Sequence, residues 1–478
     1  MNVKSRIAAI FSRKWIGALL VVLAGVVYFE SYLELMDRWW YEDDPALYLK
    51  AIEPANPLHL FTNPRYVLSF GRGNNVVPVQ MLSYWIDGRI PHFSWWTANA
   101  HNLVSMLLVM LTLHHLVFRY ARDPALAILI PIVWMMMPST SVVIQYPTTR
   151  HYVEGFLLAL WALIAFLKFS RVKGVSAVAW YVLFIVLTIL SALAKEFYAL
   201  TLPIMFGGLF LVRRDWRGVV ICGSLIVGYA LYRYWMVGTD VTVKQSYLTF
   251  LEYLHFLKVF PYQFGSNYLG YFFYAMAGGI GLLAIRKGGR PGILASSFLV
   301  AVILLNLAAI FPVSRAILMT VNEPGTWYRA VFFLHTLVLL GVMYLAWRFV
   351  GLGACRLLLL VAFIAILPGV SKTKALWKER TQIAEREGMY YLQHTQRLLY
   401  SEEAAHWFIR GLSRLYDVPL PNYINRYRID PAHDQAMLNR FDTIWRFQDG
   451  EYKPDPALYV KLIERTREHG EQMGTANE

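Results

Sequence analysis

The sequence reads SAVAWYVLFIVLTILSALAKEFYALTLPIMFGGLFLV over residues 176–212, and only Lys195 and Glu196 within this stretch are charged. A helix needs about 20 mostly apolar residues to cross the hydrocarbon core of a bilayer, with a range of roughly 17–25. The stretch therefore predicts two membrane-spanning helices, over 176–194 and 197–212, with the two charged residues at the tight turn between them.

Apolar segments of similar length continue on both sides of this pair. Of the 478 residues, 57% are hydrophobic and 16% are charged, against about 25% charged in a typical soluble domain. This composition excludes a soluble globule and a disordered chain. It predicts an all-α polytopic membrane protein with about 11 transmembrane helices. Besides the two above, the predicted spans are 15–35, 101–118, 125–138, 151–168, 217–237, 268–285, 292–312, 330–347 and 352–369.

The formal net charge of +14 suggests a nucleic-acid partner, but long apolar runs argue against one. The positions of the basic residues indicate membrane orientation instead, because cytoplasmic loops carry an excess of Lys and Arg. Loops on the amino-terminal side contain only two acids, Asp123 and Asp215. This predicts a multi-pass protein of the cytoplasmic (inner) membrane, with its N-terminus inside and its C-terminus outside. The basic residues on that side are Lys4, Arg6, Arg13, Lys14, Arg119, Arg122, Lys168, Arg171, Lys173, Arg213, Arg214, Arg217, Arg286, Lys287, Arg290, Arg348 and Arg356.

Two longer polar regions lie on the predicted outer side. The loop over 36–100 is rich in Trp and Tyr, which favour the membrane interface, so it is expected to contain interfacial helices. Residues 371–478 are polar and predict a small, mostly helical, soluble C-terminal domain outside a transmembrane domain of residues 1–370. The two cysteines, Cys222 and Cys355, fall inside spans. The outer regions therefore have neither disulfides nor a zinc site made of cysteine ligands.

An acidic cluster follows the first span in DRWWYEDDPALYLK (37–50), where Glu42, Asp43 and Asp44 are consecutive. Adjacent carboxylates repel each other, which favours proton uptake by one of them, as required of a base that accepts a proton from a hydroxyl. Alternatively, the cluster is a solvated turn in which Asp44 caps a helix beginning at Pro45. The residues alone leave both interpretations open.

Cations lie at the outer ends of several spans. Arg150 is followed four residues later by Glu154, so the two can pair on a helix. The other cations at such ends are Lys195, Arg233 and Arg329. Charged side chains within a bilayer usually line a polar cavity, but each could equally extend to lipid head groups. His101, near the start of the second span, has no second ligand at metal spacing and is interpreted as a packed or interfacial histidine.

Four short segments resemble the GT-C superfamily of polyprenyl-phosphate-sugar-dependent glycosyltransferases, in particular its protein O-mannosyltransferase-like members. They are the acidic segment after the first span, the approach to the second span, the Lys-Glu turn and the entry to a late span. The similarity covers roughly residues 1–350, and the Lys-Glu turn is its most specific motif. The segments read EDDPALYLK (42–50), DGRIPHFSWWTANAHNLV (87–104), LAKEFYALTLP (193–203) and WYRAVFF (327–333).

The resemblance implies roles for particular residues. Asp43 or Asp44 would be the general base that takes a proton from the acceptor hydroxyl, with inversion at the sugar carbon. Arg329, Lys195 and Arg150 would hold the donor lipid phosphate, and Arg150 is the weakest of the three because Glu154 would neutralise it. No metal is required, although Asp43 and Asp44 could hold Mg²⁺ or Mn²⁺. The supporting residues would be Glu42, Glu196, Glu154, Tyr328 and His101.

The sequence thus predicts a GT-C membrane glycosyltransferase acting on the outer face of the cytoplasmic membrane. Its partners would be a polyprenyl-phosphate-sugar donor, membrane lipids and a glycan, lipid or protein acceptor. A lipid or polysaccharide transporter or flippase is an alternative, but no internal repeat is visible and the polar groups lie at one side. An O-antigen ligase or polymerase is another, although such enzymes tend to have their large outer loop between late spans.

Overall fold

The computed structural model describes most of the chain. The described residues are 14–37, 39–40, 44–67, 76–91, 93–238, 250–310, 326–401, 406–419, 422–425, 431–448 and 451–475. Contacts divide the chain into two units, of which the first comprises Met1–Asp37 and Pro54–Trp377 and the second Arg38–Glu53 and Lys378–Glu478. The second unit thus includes the segment that carries the acidic cluster. Whether a domain boundary lies at residue 370 stays a prediction.

Helices account for most of the described residues. Short 3-10 turns lie at Leu35–Asp37, Pro147–Thr149 and Thr326–Val331, and π-helical turns follow α1 and α15. In chain order the helices are α1 Lys14–Val26, α2 Asp44–Ile52, α3 His59–Thr62, α4 Pro64–Val67, α5 Pro78–Asp87, α6 Trp95–Ala121, α7 Pro124–Met136, α8 Pro138–Gln145, α9 Arg150–Phe169, α10 Val175–Ala194, α11 Glu196–Val212, α12 Trp216–Val237, α13 Phe250–Gln263, α14 Leu269–Ile310, α15 Phe332–Leu345, α16 Leu352–Gln393, α17 His406–Leu415, α18 Pro431–Leu438 and α19 Pro456–Thr475.

The predicted class, a polytopic helical membrane protein, is confirmed. Within the described residues, eight helices are long and apolar enough to cross a membrane, or nine if the bent pair of α7 and α8 is one span. The number of about 11 spans stays a prediction. The segments 268–285 and 292–312 both fall in α14, where the non-helical residue Gly289 (φ 53°, ψ −137°) separates two helices, and α11 has only 17 residues. Short helices are present in the first outer loop, and their position at the membrane surface stays a prediction.

Helix α8 is a buried element that positions the candidate site. Met137 precedes Pro138, and a residue before proline is kept out of the helical region; its ψ of 135° ends α7, and α8 departs at 67°. All residues of α8 are buried, and the Tyr28 hydroxyl lies 2.7 Å from Oγ of Ser141. The helix packs against the 3-10 turn Thr326–Val331, which carries Arg329.

The Lys-Glu turn is held against α9 by a close helix contact. Ser191 donates to the carbonyl of Gly155 (2.6 Å), and the Tyr198 hydroxyl donates to the carbonyl of Tyr152 (2.7 Å). Since these bonds flank Lys195 on both sides, the turn has a fixed position beside the N-terminal part of α9.

Gly155→Ala is expected to lower the stability of the protein by about 1–3 kcal/mol, as overpacking does. A Cβ at this position would lie 2.4 Å from Cε2 of Tyr198, and Tyr198 is fully buried, so its ring cannot move aside freely. Gly223→Ala is the matched control, because a Cβ there meets nothing within 4 Å. Thermal unfolding in detergent measures both variants, and equal midpoints for the two would contradict the prediction.

The second unit contains a four-stranded sheet that the sequence analysis did not predict. The strands are β1 Leu398–Ser401, β2 Asn422–Asn425, β3 Trp445–Gln448 and β4 Glu451–Pro454, in the order β2-β1-β3-β4. β1 pairs in parallel with β2 and β3, and β3 and β4 are antiparallel. Strands of four residues are too short for alternation to be distinguished from helical periodicity.

Helix α2 packs closely on α17 within this unit. A Cβ at Gly411 would lie 2.7 Å from the backbone nitrogen of Ala46, and the ring of Trp39 contacts that of Phe408 edge to face. The contact fixes the start of α2, which begins at Asp44. Glu42 and Asp43 lie outside the described residues.

Candidate functional site

A buried ion network connects α5, α6 and α9. Arg150 begins α9, and its Nη2 lies 2.7 Å from Oδ2 of Asp87, while its Nε lies 3.1 Å from Oε1 of Glu154. The side chains of Arg150 and Asp87 are completely buried. The guanidinium also donates to Oγ of Ser83 (2.8 Å). Two carboxylates therefore neutralise Arg150 inside the protein.

His101 closes the network from α6. Its Nδ1 lies 2.5 Å from Oδ1 of Asp87, and its Nε2 lies 3.4 Å from Oε1 of Glu154. An ionised carboxylate can only accept hydrogen bonds, so Nδ1 donates to Asp87. Ser83 donates to the same oxygen of Glu154 (2.7 Å). The predicted supporting residues His101 and Glu154 are thus brought together, around a carboxylate that the sequence analysis did not select.

Asp87 carries the negative charge on which this network depends. Its burial alone would raise the pKa of the carboxyl group, but the charge of Arg150 and the hydrogen bond from His101 outweigh burial and hold the pKa below its ordinary value. Asp87 is therefore ionised. Because Arg150 is closed off by this pairing, its position favours a structural role over the predicted contact with a donor phosphate.

Lys195 lies at the N-cap of α11. Its ammonium is 5.2 Å from the centroid of the Tyr152 ring, and the residue is partly exposed. Glu196 is occupied elsewhere: it forms an ion pair with Arg233 and accepts a hydrogen bond from the backbone nitrogen of Val76 (3.2 Å). Glu196 thereby links the first outer loop to α12, while the adjacent cation points toward α9.

Arg329 lies on the 3-10 turn against α8. Its guanidinium is 5.8 Å from the centroid of the Tyr146 ring, and it is partly exposed. The neighbouring Tyr328 is buried, and its hydroxyl is 3.3 Å from Oγ of Ser266. Tyr328 therefore anchors the turn in the protein interior and leaves Arg329 at its surface.

The three predicted cations meet around the N-terminus of α9. Arg150 begins the helix, the Lys195 ammonium lies over the ring of Tyr152, and the Arg329 guanidinium lies over the ring of Tyr146 just before the helix. The buried His151, which the sequence analysis did not select, follows Arg150. The His151 ring lies 4.6 Å from that of Tyr152 between centroids. The N-terminus of a helix also carries a partial positive charge. Lys195 and Arg329, which are both partly exposed, add positive charge to this region, which is therefore suited to an anion.

An apolar cavity of about 260 Å³ adjoins the Lys-Glu turn. It lies between α10, α11 and α12, and Ala192, Leu193 and Ala199 on either side of the turn contribute to its wall. Tyr229 and Tyr232 from α12 form the other side. The cavity therefore offers space for hydrocarbon beside the Lys-Glu turn.

Metal ligands do not gather in the described part of the chain. No group of three or more His, Cys, Asp and Glu side chains there is arranged to hold a metal ion. Because Glu42 and Asp43 lie outside the described residues and the Asp44 side chain is not described, the expectation that no metal is required stays a prediction.

The described structure shares its fold with a protein of known structure, ArnT. Two crystal structures of ArnT from Cupriavidus metallidurans, one bound to undecaprenyl phosphate and one in the apo state, are similar to this chain with a TM-score of 0.52. Sequence identity is 16%, and the match covers 94% of both chains. No protein-family model matches the sequence, and no curated protein does. The similarity is therefore one of fold.

Proposed function

We propose that this protein is a membrane glycosyltransferase that uses a polyprenyl-phosphate-linked sugar as donor. The observation that carries the proposal is the position of two cations at the N-terminus of α9: Lys195 lies over Tyr152 in its first turn, and Arg329 lies over Tyr146 just before it. A lipid phosphate leaving group gains negative charge as its bond to the sugar breaks, and fixed cations stabilise that charge. Two partly exposed cations at a helix N-terminus supply this stabilisation without a metal.

The apolar cavity beside the Lys-Glu turn supports a lipid donor over a soluble nucleotide sugar. A polyprenyl chain is hydrocarbon, and burying it in a cavity with an apolar lining is favourable. With the phosphate near Lys195, the first isoprene units would lie against Ala192 and Leu193. The ArnT structure with undecaprenyl phosphate shows that a protein of this fold can bind such a lipid.

The reaction transfers the sugar in one displacement. The acceptor hydroxyl oxygen attacks the anomeric carbon as the bond from that carbon to the phosphate oxygen breaks, and Asp43 or Asp44 takes the hydroxyl proton. The products are the inverted glycoside and free polyprenyl phosphate. The acceptor is a hydroxyl of a glycan, a lipid or a protein, and transfer occurs at the outer face of the cytoplasmic membrane.

Arg329→Ala is expected to weaken binding of polyprenyl phosphate by roughly tenfold to hundredfold, the range for loss of a hydrogen bond to a charged group. Arg348→Ala is the matched control, because Arg348 lies at the other end of the same span. Titration of purified protein with polyprenyl phosphate measures the affinity, and turnover of a polyprenyl-phosphate sugar gives the KM for the donor. Unchanged affinity in Arg329→Ala would contradict the assignment of the phosphate site.

A further inference from the structure

Two adjoining cavities lie at the other end of α6 and α9, where α1 begins. The larger has a volume of about 630 Å³ and the smaller about 130 Å³, and His115, Arg119, Tyr120 and Arg171 line both. The positive-inside distribution assigns this end to the cytoplasm. The cations around the two cavities are Lys14, Arg119, Arg122, Lys168 and Arg171.

These five cations have no carboxylate partner within the described residues. The nearest acid in the sequence, Asp123, is already engaged: its Oδ2 accepts from Arg356 (2.7 Å) and its Oδ1 caps α7 at the nitrogen of Leu126 (3.0 Å). Five like charges around adjoining cavities create a positive potential, which raises the local concentration of anions. The cavities are therefore suited to an anionic ligand.

Two of the cations contact the ring of a neighbouring side chain. Nζ of Lys14 lies 2.6 Å from Nδ1 of His115, and the guanidinium of Arg171 lies 5.3 Å from the centroid of the Tyr120 ring. Beneath them, His114 contacts the carbonyl of Ala127 (3.0 Å) through Nδ1. All five cations are exposed, and these contacts hold Lys14 and Arg171 beside the cavities.

Helix α1 packs closely on α6 beside the larger cavity. A Cβ at Gly17 would lie 2.6 Å from Cε1 of His114, and Nε2 of His114 lies 3.3 Å from the carbonyl of Lys14. Because α1 can approach α6 this closely, Lys14 reaches the rim of the larger cavity. Helix α1 thereby contributes Lys14 to the lining of the larger cavity.

We propose that these cavities bind the phosphate head group of an anionic phospholipid. The cations lie at the ends of helices long enough to cross a membrane, which is the depth of lipid head groups. The walls combine the cations with the apolar side chains of Leu116, Ile164 and Leu167. A free anion needs no apolar wall, whereas a phospholipid has acyl chains that lie against one, and basic pockets between spans bind such lipids.

The test compares Arg119→Gln/Arg171→Gln with Arg286→Gln/Lys287→Gln, which removes the same charge beside the break of α14 at Gly289, a region that the positive-inside distribution assigns to the same side. Purified proteins are reconstituted in nanodiscs of phosphatidylcholine with increasing phosphatidylglycerol, and retained phosphatidylglycerol is counted by native mass spectrometry. The site variant is expected to bind phosphatidylglycerol roughly thirtyfold more weakly than the parent, because the loss of each of the two basic residues should weaken binding by about tenfold or less. The control is expected to stay within about twofold of the parent, since each charge outside a pocket is screened by salt.

Three outcomes would overturn the proposal. These are equal losses in the two variants, no preference of the parent for phosphatidylglycerol over phosphatidylcholine, and displacement of the lipid by millimolar inorganic phosphate. The last would identify a soluble anion as the ligand. Arg119→Lys/Arg171→Lys keeps the charges and is expected to retain binding within about threefold, and its failure to do so, with unchanged thermal unfolding, would count against a charge-based site.

Discussion

Asp43→Asn/Asp44→Asn is expected to lower the rate of sugar transfer by about 10²–10⁴-fold, the usual contribution of a general base. An amide cannot take the proton that the acceptor hydroxyl loses, while its size is close to that of the carboxyl group. The single variants identify which of the two residues is the base. Full activity of the double variant would contradict the assignment of the general base to this segment.

The choice of asparagine separates catalysis from helix capping. Helix α2 begins at Asp44, which lies within one residue of the cap position predicted from the sequence, and Asn caps a helix about as well as Asp does. Asp44→Asn should therefore leave the unfolding midpoint near that of the parent, whereas Asp44→Ala should also lose about 0.5–2 kcal/mol. If Asp44→Asn is fully active and only Asp44→Ala is impaired, Asp44 acts as a cap and the base lies elsewhere.

Local patterns in the sequence were sufficient to predict the elements that carry the cations. Hydropathy separates α10 from α11 at the Lys-Glu turn, and the structure has Lys195 between them. The four-residue spacing of Arg150 and Glu154 predicts their pairing, which the structure confirms at 3.1 Å. Both signals come from residues that are neighbours on one helix or in one turn, where periodicity applies directly.

The partner that neutralises Arg150 could not be predicted in this way. Asp87 lies 63 positions before Arg150 in the chain, and no periodic pattern relates two residues of different helices. Its segment, DGRIPHFSWWTANAHNLV (87–104), is informative in the sequence only through its resemblance to the GT-C superfamily. The available signal was an acid at the end of a short amphipathic helix, α5, followed by glycine. Such a signal gives no information on whether the acid is buried.

Asp87→Asn is expected to lower the stability of the protein by about 3–5 kcal/mol, the usual effect of removing one partner of a buried ion pair. Arg150 would remain fully buried with Glu154 as its only carboxylate partner in the network. Asp87→Asn/Arg150→Gln removes both charges, so we expect it to be less destabilised than the sum of the two single variants. Unfolding in detergent measures all three, and additive losses would show that the pair is not coupled.

The same network predicts how stability depends on pH. The pKa of Asp87 is held below its ordinary value of 3.8, so the stabilisation is fully present above that value and is lost as pH falls through the lower, folded-state pKa. The parent protein should therefore lose stability steeply below about pH 4. Asp87→Asn has no carboxyl group to protonate at this position, so its stability should fall less over the same interval. Parallel curves for the two proteins between pH 7 and pH 3 would assign the acid sensitivity to other carboxylates.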